Sequence, residues 1–428
     1  MTAVIGILNK NAVAIAADSA VTVSGSNGSK IYNTANKIFT LSKFHPVSVT
    51  IYNSANFITT PWEIIIKMYR KELGERSFPR LRDYSDDFFR FLKTNNFFSS
   101  TEVINHFFRS LIFFSIEDFV RKSYETAMME ENDLILLSKE KRLEVFRKYI
   151  IDLIEKETEK AQNCEQLEDF KTLSKKEFNT LTKKDINEIF EENYKELSNK
   201  NLKDKYSSFL FNYIKSKLFY GQWSGLVFAG YGDDEIYPTT ISTKIASVFD
   251  NKIRFYTDVV ESINDNNTGS IMPFAQRDVI DTLITGISPD INETLFSTFN
   301  NILSGYNQYL INLVSTENPK LAKALSKLDI DKVCEEFVDE INKVKEIKHI
   351  EPTVNTVSIL SKEDLAEMAE SLIYLTYLKR RISSHEESVG GPVDVAIISK
   401  GDGFIWIKRK HYFEEKYNPQ FNYKYFNS

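Results

Sequence analysis

The sequence predicts an α+β layered domain that carries two large helical insertions. Three observations lead there. Short apolar, β-branched runs separated by polar turns fill the first sixty residues and return at 224–257 and 393–408. Lys-, Glu-, Phe- and Leu-rich stretches at 76–217 and 290–354 lie between them. No glycine occurs between Gly74 and Gly221, which suits uninterrupted helix. Strands, helices, strands, helices, strands is an order that one layered domain with insertions accommodates. Its core would comprise 1–75, 218–289 and 355–428.

Residues 3–8 and 12–17 read as a buried hairpin around the polar break Asn9-Lys10-Asn11. Residues 37–41 and 47–52 read as a second strand pair, interrupted at His45-Pro46. Thr60 is expected to cap a helix with Pro61 at its first position, and Ile65, Ile66, Met68 and Tyr69 follow at helical spacing. The phenylalanines of 88–114 are expected as helical core, with a docking face as the alternative. The mixed Lys/Glu stretch 139–205 reads as solvated helix surface. Strand character returns over 224–232 and 239–257, and 275–287 reads as helix. Ser361-Lys362-Glu363-Asp364 carries a helix-start signature, for a helix running to about Ile382. A closing hairpin, 393–399 and 404–408, turns at Lys400-Gly401-Asp402-Gly403.

The 428 residues carry a net charge of −6, which argues against nucleic acid or an anionic membrane as the main partner. Cys164 and Cys334 show neither ligand spacing nor a disulfide framework, so no metal or cofactor is expected and a reducing, cytoplasmic setting is. No basic leader precedes the first apolar run, and no apolar run reaches membrane length. Gly230-Tyr231-Gly232 lacks the third glycine and following helix of a dinucleotide turn. Gly25-Ser26-Asn27-Gly28-Ser29-Lys30 has the wrong spacing for a phosphate loop and reads as a hairpin turn. His385 has no second histidine at metal spacing.

The chemistry concentrates at the start of the chain. Thr2 would gain a free α-amino group on removal of Met1, so that one residue would hold both a nucleophilic hydroxyl and a base. Behind it come Ala16-Ala17-Asp18-Ser19, then Lys37-Ile38, then a small-residue turn, Asn53-Ser54-Ala55-Asn56, before a helix. Near the other end stand Gly390-Gly391-Pro392-Val393-Asp394-Val395-Ala396-Ile397 and Asp402-Gly403, with a looser strand match at Val227-Phe228-Ala229-Gly230-Tyr231. In three pieces covering less than half the chain, these residues make it resemble the proteasome β-subunit and its bacterial relative of the HslV type, both N-terminal nucleophile (Ntn) hydrolases.

The resemblance implies a four-layer αββα sandwich and cleavage of a peptide or other amide through an acyl-enzyme on Thr2. It implies that Lys37 stabilises developing negative charge and keeps the Thr2 amine unprotonated, and that Asp18 holds Lys37 by ion pairing. It places a backbone N–H at Asn53 in the oxyanion site, where such a donor contributes about 3 kcal/mol. It places Glu386 as the acid supporting the threonine amine. It further implies a peptide or protein substrate, assembly into a homo-oligomer and an ATPase or regulatory partner. The chain departs from the family pattern in four places. Asn53 stands where glycine is usual. Val389 stands where a serine belongs, with Ser388 one place off. Ala275-Gln276-Arg277-Asp278 supplies no third supporting serine. Lys30 competes with Lys37 across a lengthened loop. A catalytically silent, partner-binding subunit and a small-molecule amidase are therefore alternative expectations.

Overall fold

The structure, a computed structural model, describes residues 2–25, 28–95, 101–131, 134–383, 390–411, 413–420 and 423. It is an α+β chain built on two five-stranded antiparallel sheets. The first sixty residues give β1 (Val4–Asn9), β2 (Val13–Ala17), β3 (Val21–Gly25), β4 (Gly28–Tyr32), β5 (Ile38–Thr40), β6 (Val47–Asn53), β7 (Asn56–Phe57) and β8 (Thr60–Pro61). Helices α1 (Trp62–Leu73) and α2 (Leu81–Asn95) follow, and then α3 (Thr101–Glu130), α4 (Lys139–Asn163), α5 (Lys175–Asn193) and α6 (Lys200–Lys215). The mid-chain strands are β9 (Ser224–Gly230), β10 (Thr239–Phe249), β11 (Lys252–Ser262) and β12 (Gly269–Ala275). After α7 (Arg277–Thr285), α8 (Pro289–Val314), α9 (Pro319–Leu325), α10 (Ile330–Lys345), α11 (Glu351–Ile359) and α12 (Lys362–Ile382), the chain closes with β13 (Asp394–Ser399) and β14 (Gly403–Lys408).

One sheet has the order β12-β1-β2-β13-β14 and the other β11-β10-β9-β6-β5. Strand alternation gives each sheet two apolar faces. Val4, Leu8, Val13, Ile15, Ala396 and Ile398 of the first sheet share a buried cluster with Ile38, Tyr52, Val227 and Ala229 of the second. The alternate residues Ile5, Ile7, Ala14, Ala16, Val395 and Ile397 pack instead on α11 and α12 through Val357, Leu365, Ala369 and Ile373. The outer face of the second sheet, with Val49, Ile51, Leu226, Phe228 and Ile241, packs on α1 and α2 through Trp62, Ile66, Tyr69 and Phe88. Such two-sided burial explains why these strands read as near-continuous apolar runs. Between the sheets, the Tyr52 ring occupies the space where a Cβ at Gly225 would sit, 1.9 Å from its nearest ring atom, so only glycine fits there.

Helices α3 to α6 surround their own core, centred on Ile112, Phe178, Phe190 and Tyr206, into which Phe249 of β10 projects. Arg254 of β11 fastens this helical body to the sheet. It is 0% exposed. Its guanidinium donates to the carbonyl oxygens of Tyr213, Ile214, Ser216 and Leu218 at 2.7–3.2 Å, and it lies over the rings of Tyr213 and Phe219. Carbonyls at and just beyond the C-terminal end of α6 thus receive a cation, which suits both their hydrogen bonding and the helix dipole. The second insertion is looser: α8 and α10 have no fully buried residue, and Phe299 stacks on Phe337 between them. Among the described residues, no helix is long and apolar enough to cross a membrane.

Several elements differ from the sequence-based expectation. Helix α1 begins at Trp62, with Pro61 at the cap position (φ −58°, ψ 133°) and no side-chain cap, because Thr60 and Pro61 pair with Asn56 and Phe57. The run 239–257 is two strands that reverse at Asp250-Asn251, both left-handed at φ 49° and 58°. The run 275–287 hides the end of strand β12, and its helix starts only at Arg277. Ser361 caps α12 with a full capping box to Asp364.

Replacing Arg254 by methionine removes this donor from the carbonyl oxygens of Ile214, Ser216 and Leu218, while that of Tyr213 still accepts from Ser216. The expected loss is about 3 kcal/mol or more, given the cost of each unpaired buried group. It is read as a lowered urea midpoint, with proteolytic nicking appearing first within 101–215.

Candidate active site

Asp18 directly follows β2 and is 1% exposed. A carboxylate so placed needs donors, and it has four. Oδ1 accepts from the Ala3 N–H at 2.8 Å and from Lys37 Nζ at 2.6 Å. Oδ2 accepts from the N–H groups of Ala20 at 3.1 Å and Gly390 at 3.2 Å. The ammonium group of Lys37 and the backbone immediately after Thr2 therefore share one oxygen. Thr2 itself is 5% exposed.

Lys37 is 3% exposed and also donates to the Ala20 carbonyl at 2.7 Å. Two of its three ammonium protons are thereby committed. Burial pushes its pKa below the ordinary 10.5, while the Asp18 carboxylate works in the opposite direction. Lys30 sits exposed in the β3–β4 hairpin opposite Val23, so Lys37 is the lysine that meets Asp18.

Asn53 ends β6 in the left-handed region, at φ 66°. Its side chain donates to the Trp223 carbonyl at 2.9 Å, and the next N–H, of Ser54, reaches the same oxygen at 3.1 Å. Ladder parity sets where the Asn53 N–H points. Ser54 bonds across to β9, and Asn53 opposite Ser224 is then a pair that exchanges no hydrogen bonds. Its N–H faces the β5 side instead, two residues beyond the bond from Ile51 N–H to the Lys37 carbonyl. Beta5 begins at Ile38, so the N–H points past the strand end beside Lys37. Thr2, Asp18, Lys37 and Asn53 gather at one end of the two facing sheets.

Glu386, with His385, Ser388 and Val389, lies outside the described residues. Gln276 and Asp278 are engaged by the guanidinium of Arg380 on α12. A second, partly buried ion pair, which the sequence reading did not assign, adjoins the first. Asp394 stands opposite Ala17 on the neighbouring strand, one residue from Asp18, and its carboxylate accepts from both the backbone and the ammonium of Lys410. Lys410 disfavours charge on Lys37, and Asp394 favours it. The available signal was Asp394 itself, an acid heading an otherwise apolar strand. No described protein family, curated protein or solved structure matches the chain.

Replacing Asp18 by asparagine leaves the Lys37 ammonium buried without a counter-charge, an expected loss of about 3–5 kcal/mol in chemical denaturation. The pH dependence of Lys37 has a defined sign. Its folded pKa lies below its unfolded value, so in the interval beneath 10.5 the unfolded chain binds more protons. Stability gained from this group therefore rises with pH there and is lost as pH falls through the folded pKa. Denaturation midpoints of wild type and Lys37→Met, compared across the alkaline range, should show that gain in wild type alone.

Proposed function

We propose that the chain is an N-terminal threonine hydrolase of the proteasome-like Ntn class, cleaving amide bonds, most readily those of peptides. The observation that carries this reading is the single oxygen of Asp18 that takes both the Ala3 N–H and the Lys37 ammonium, which brings a lysine to the backbone next to the residue bearing the nucleophile. Two antiparallel sheets face to face with helices on both outer faces support the αββα form of the fold.

Removal of whatever precedes Thr2 frees its amine. That amine takes the hydroxyl proton, and the threonine oxygen bonds to the substrate carbonyl carbon. The Lys37 charge, set by Asp18, favours the unprotonated amine and steadies the negative charge that develops. The Asn53 N–H receives the oxyanion. The carbon–nitrogen bond then breaks, the leaving amine departs with the proton, and water cleaves the resulting ester.

The second reading is a silent, partner-binding subunit. It is favoured at Ala275-Gln276-Arg277-Asp278, where no serine is present and Arg380 holds the side chains of Gln276 and Asp278.

Intact mass and turnover separate the two readings. The expected mass begins at Thr2. The expected Thr2→Ala variant keeps its fold and loses turnover of peptide amides by roughly a thousandfold or more, the scale seen when a nucleophile is deleted. A chain retaining residues ahead of Thr2 in its assembled form, or turnover that survives Thr2→Ala, overturns the hydrolase.

A further inference from the structure

A cavity of about 1100 Å³ lies where the first helical insertion meets the loops next to the Asn53 turn. One wall is helical, with Phe107, Leu111, Phe114 and Phe119 from α3 and Phe209 and Tyr213 from α6. The other comes from the sheet body: Thr59 from the β7–β8 turn, and Gly221 and Gln222 just before β9. Gln222 ties this wall to the Asn53 turn, because its amide donates to the Ser54 hydroxyl at 3.2 Å and the adjoining Trp223 carbonyl accepts from Asn53.

We propose that this cavity holds a large, neutral, apolar group, and that in the threonine-hydrolase reading, on which this assignment of the group to a substrate rests, the group belongs to the substrate beside its scissile amide. Four observations converge on it. The volume exceeds that of most small-molecule sites, and a cavity walled by aromatic and aliphatic side chains takes an apolar occupant. Phe114 remains 63% exposed in the wall, with only the edge contact to Phe113 recorded for its ring among the described residues. Both lysines of the lining are already paired: Lys122 with Asp118 at 2.6 Å and Lys160 with Glu157, to which the Tyr220 hydroxyl also donates at 2.7 Å, and His106 is the remaining basic side chain. Glu102 adds a further negative charge to the lining, so an anionic occupant such as a free fatty acid is disfavoured. Finally, Ile58, beside Thr59, is a buried β-branched residue held at φ 56°. Such strain costs about 1–3 kcal/mol and concentrates at functional sites.

The apolar group can hang from the carbonyl or from the amine side of the substrate, and both are tested. The first measurement is fluorescence titration of the full chain with N-phenylnaphthylamine, a neutral apolar probe that brightens on leaving water. Wild type and Thr2→Ala should both show saturable binding. Ser110→Trp and Leu153→Trp fill the cavity from α3 and α4, and circular dichroism reports whether each keeps its fold; Ser110 bonds only its own helix carbonyl at His106. Binding at least about tenfold weaker in a folded filling variant is the expected result. The absence of saturable binding in wild type, or wild-type affinity in both folded filling variants, overturns the proposal.

The second measurement is kcat/KM for alkanoyl nitroanilides of increasing acyl length, and for acetamides of increasing N-alkyl length. A rise along one series, abolished by Ser110→Trp, assigns the side. Flat profiles in both series overturn the substrate assignment. Probe binding that behaves as expected while Thr2→Ala retains turnover leaves the apolar site standing and removes the hydrolase reading alone.

Discussion

The carboxylate of Asp18 is the contact on which the rest of this end of the molecule depends. Burying an ionised carboxylate costs several kcal/mol, and only a complete set of donors offsets that cost. The four donors come from four separate places in the chain: the residue after Thr2, the turn after β2, Lys37 ahead of β5, and Gly390 ahead of β13. Two of these lead into strands of the first sheet, β1 and β13, and Lys37 introduces the edge of the second. One anion therefore sets the distance between the sheets at this end and fixes the backbone that carries the threonine. The adjoining Asp394–Lys410 pair extends the arrangement, so that Lys37 experiences a carboxylate and an ammonium from the neighbouring strand as well as its own partner.

The helical body is attached by a different logic. It has its own apolar core, and Arg254 brings to it a buried cation with no carboxylate among its hydrogen-bond partners. Carbonyl oxygens at a helix C-terminus are partial negative charges in fixed positions, and two ring faces add to them. That arrangement is rigid, because every partner is backbone or packed aromatic. The cavity beside the Asn53 turn therefore has walls held by both bodies.

Much of this was legible in the sequence where burial is two-sided. Beta1, β2, β6 and β9 lie between layers of apolar side chains, so their sequences are apolar runs, and Asp18 after β2 and Lys37 before β5 stand out at the strand ends. What was not legible is non-local or lies at an edge. Beta12 pairs only with β1, and an edge strand tolerates Pro273, the residue that disguises it. The reversal at Asp250-Asn251 uses two left-handed residues without a glycine, so its turn signal is weak. Arg254 lies in a stretch, Lys252-Ile253-Arg254-Phe255-Tyr256-Thr257, that looks half-solvated; its burial comes from carbonyls some forty residues earlier in the chain. The Asp394–Lys410 pair spans a hairpin with no periodic trace. Glu386 falls in a segment the structure does not describe.

The segment from Asn53 to Pro61 makes the most specific argument that this end of the sheets is built for a purpose. Glycine is the low-cost choice for a left-handed residue, and asparagine is among the few others that tolerate it. Here asparagine adds something glycine lacks, a side chain that grips the Trp223 carbonyl and stiffens the turn. The backbone N–H is unaffected by the exchange, since its direction belongs to the preceding peptide plane and to ladder parity. Five residues on, Ile58 takes the same conformation with no polar side chain to ease it, and it is held there by burial among Trp62 and its neighbours. Two left-handed residues thus bracket the passage from the sheet end into α1. One lies at the sheet end near Lys37 and the other beside the apolar cavity. Strain of this kind persists only where the surroundings over-determine it. The same short segment therefore orients the Asn53 N–H at one end and contributes Thr59 to the cavity wall at the other, with Gln222 and Trp223 bonded to its first two residues.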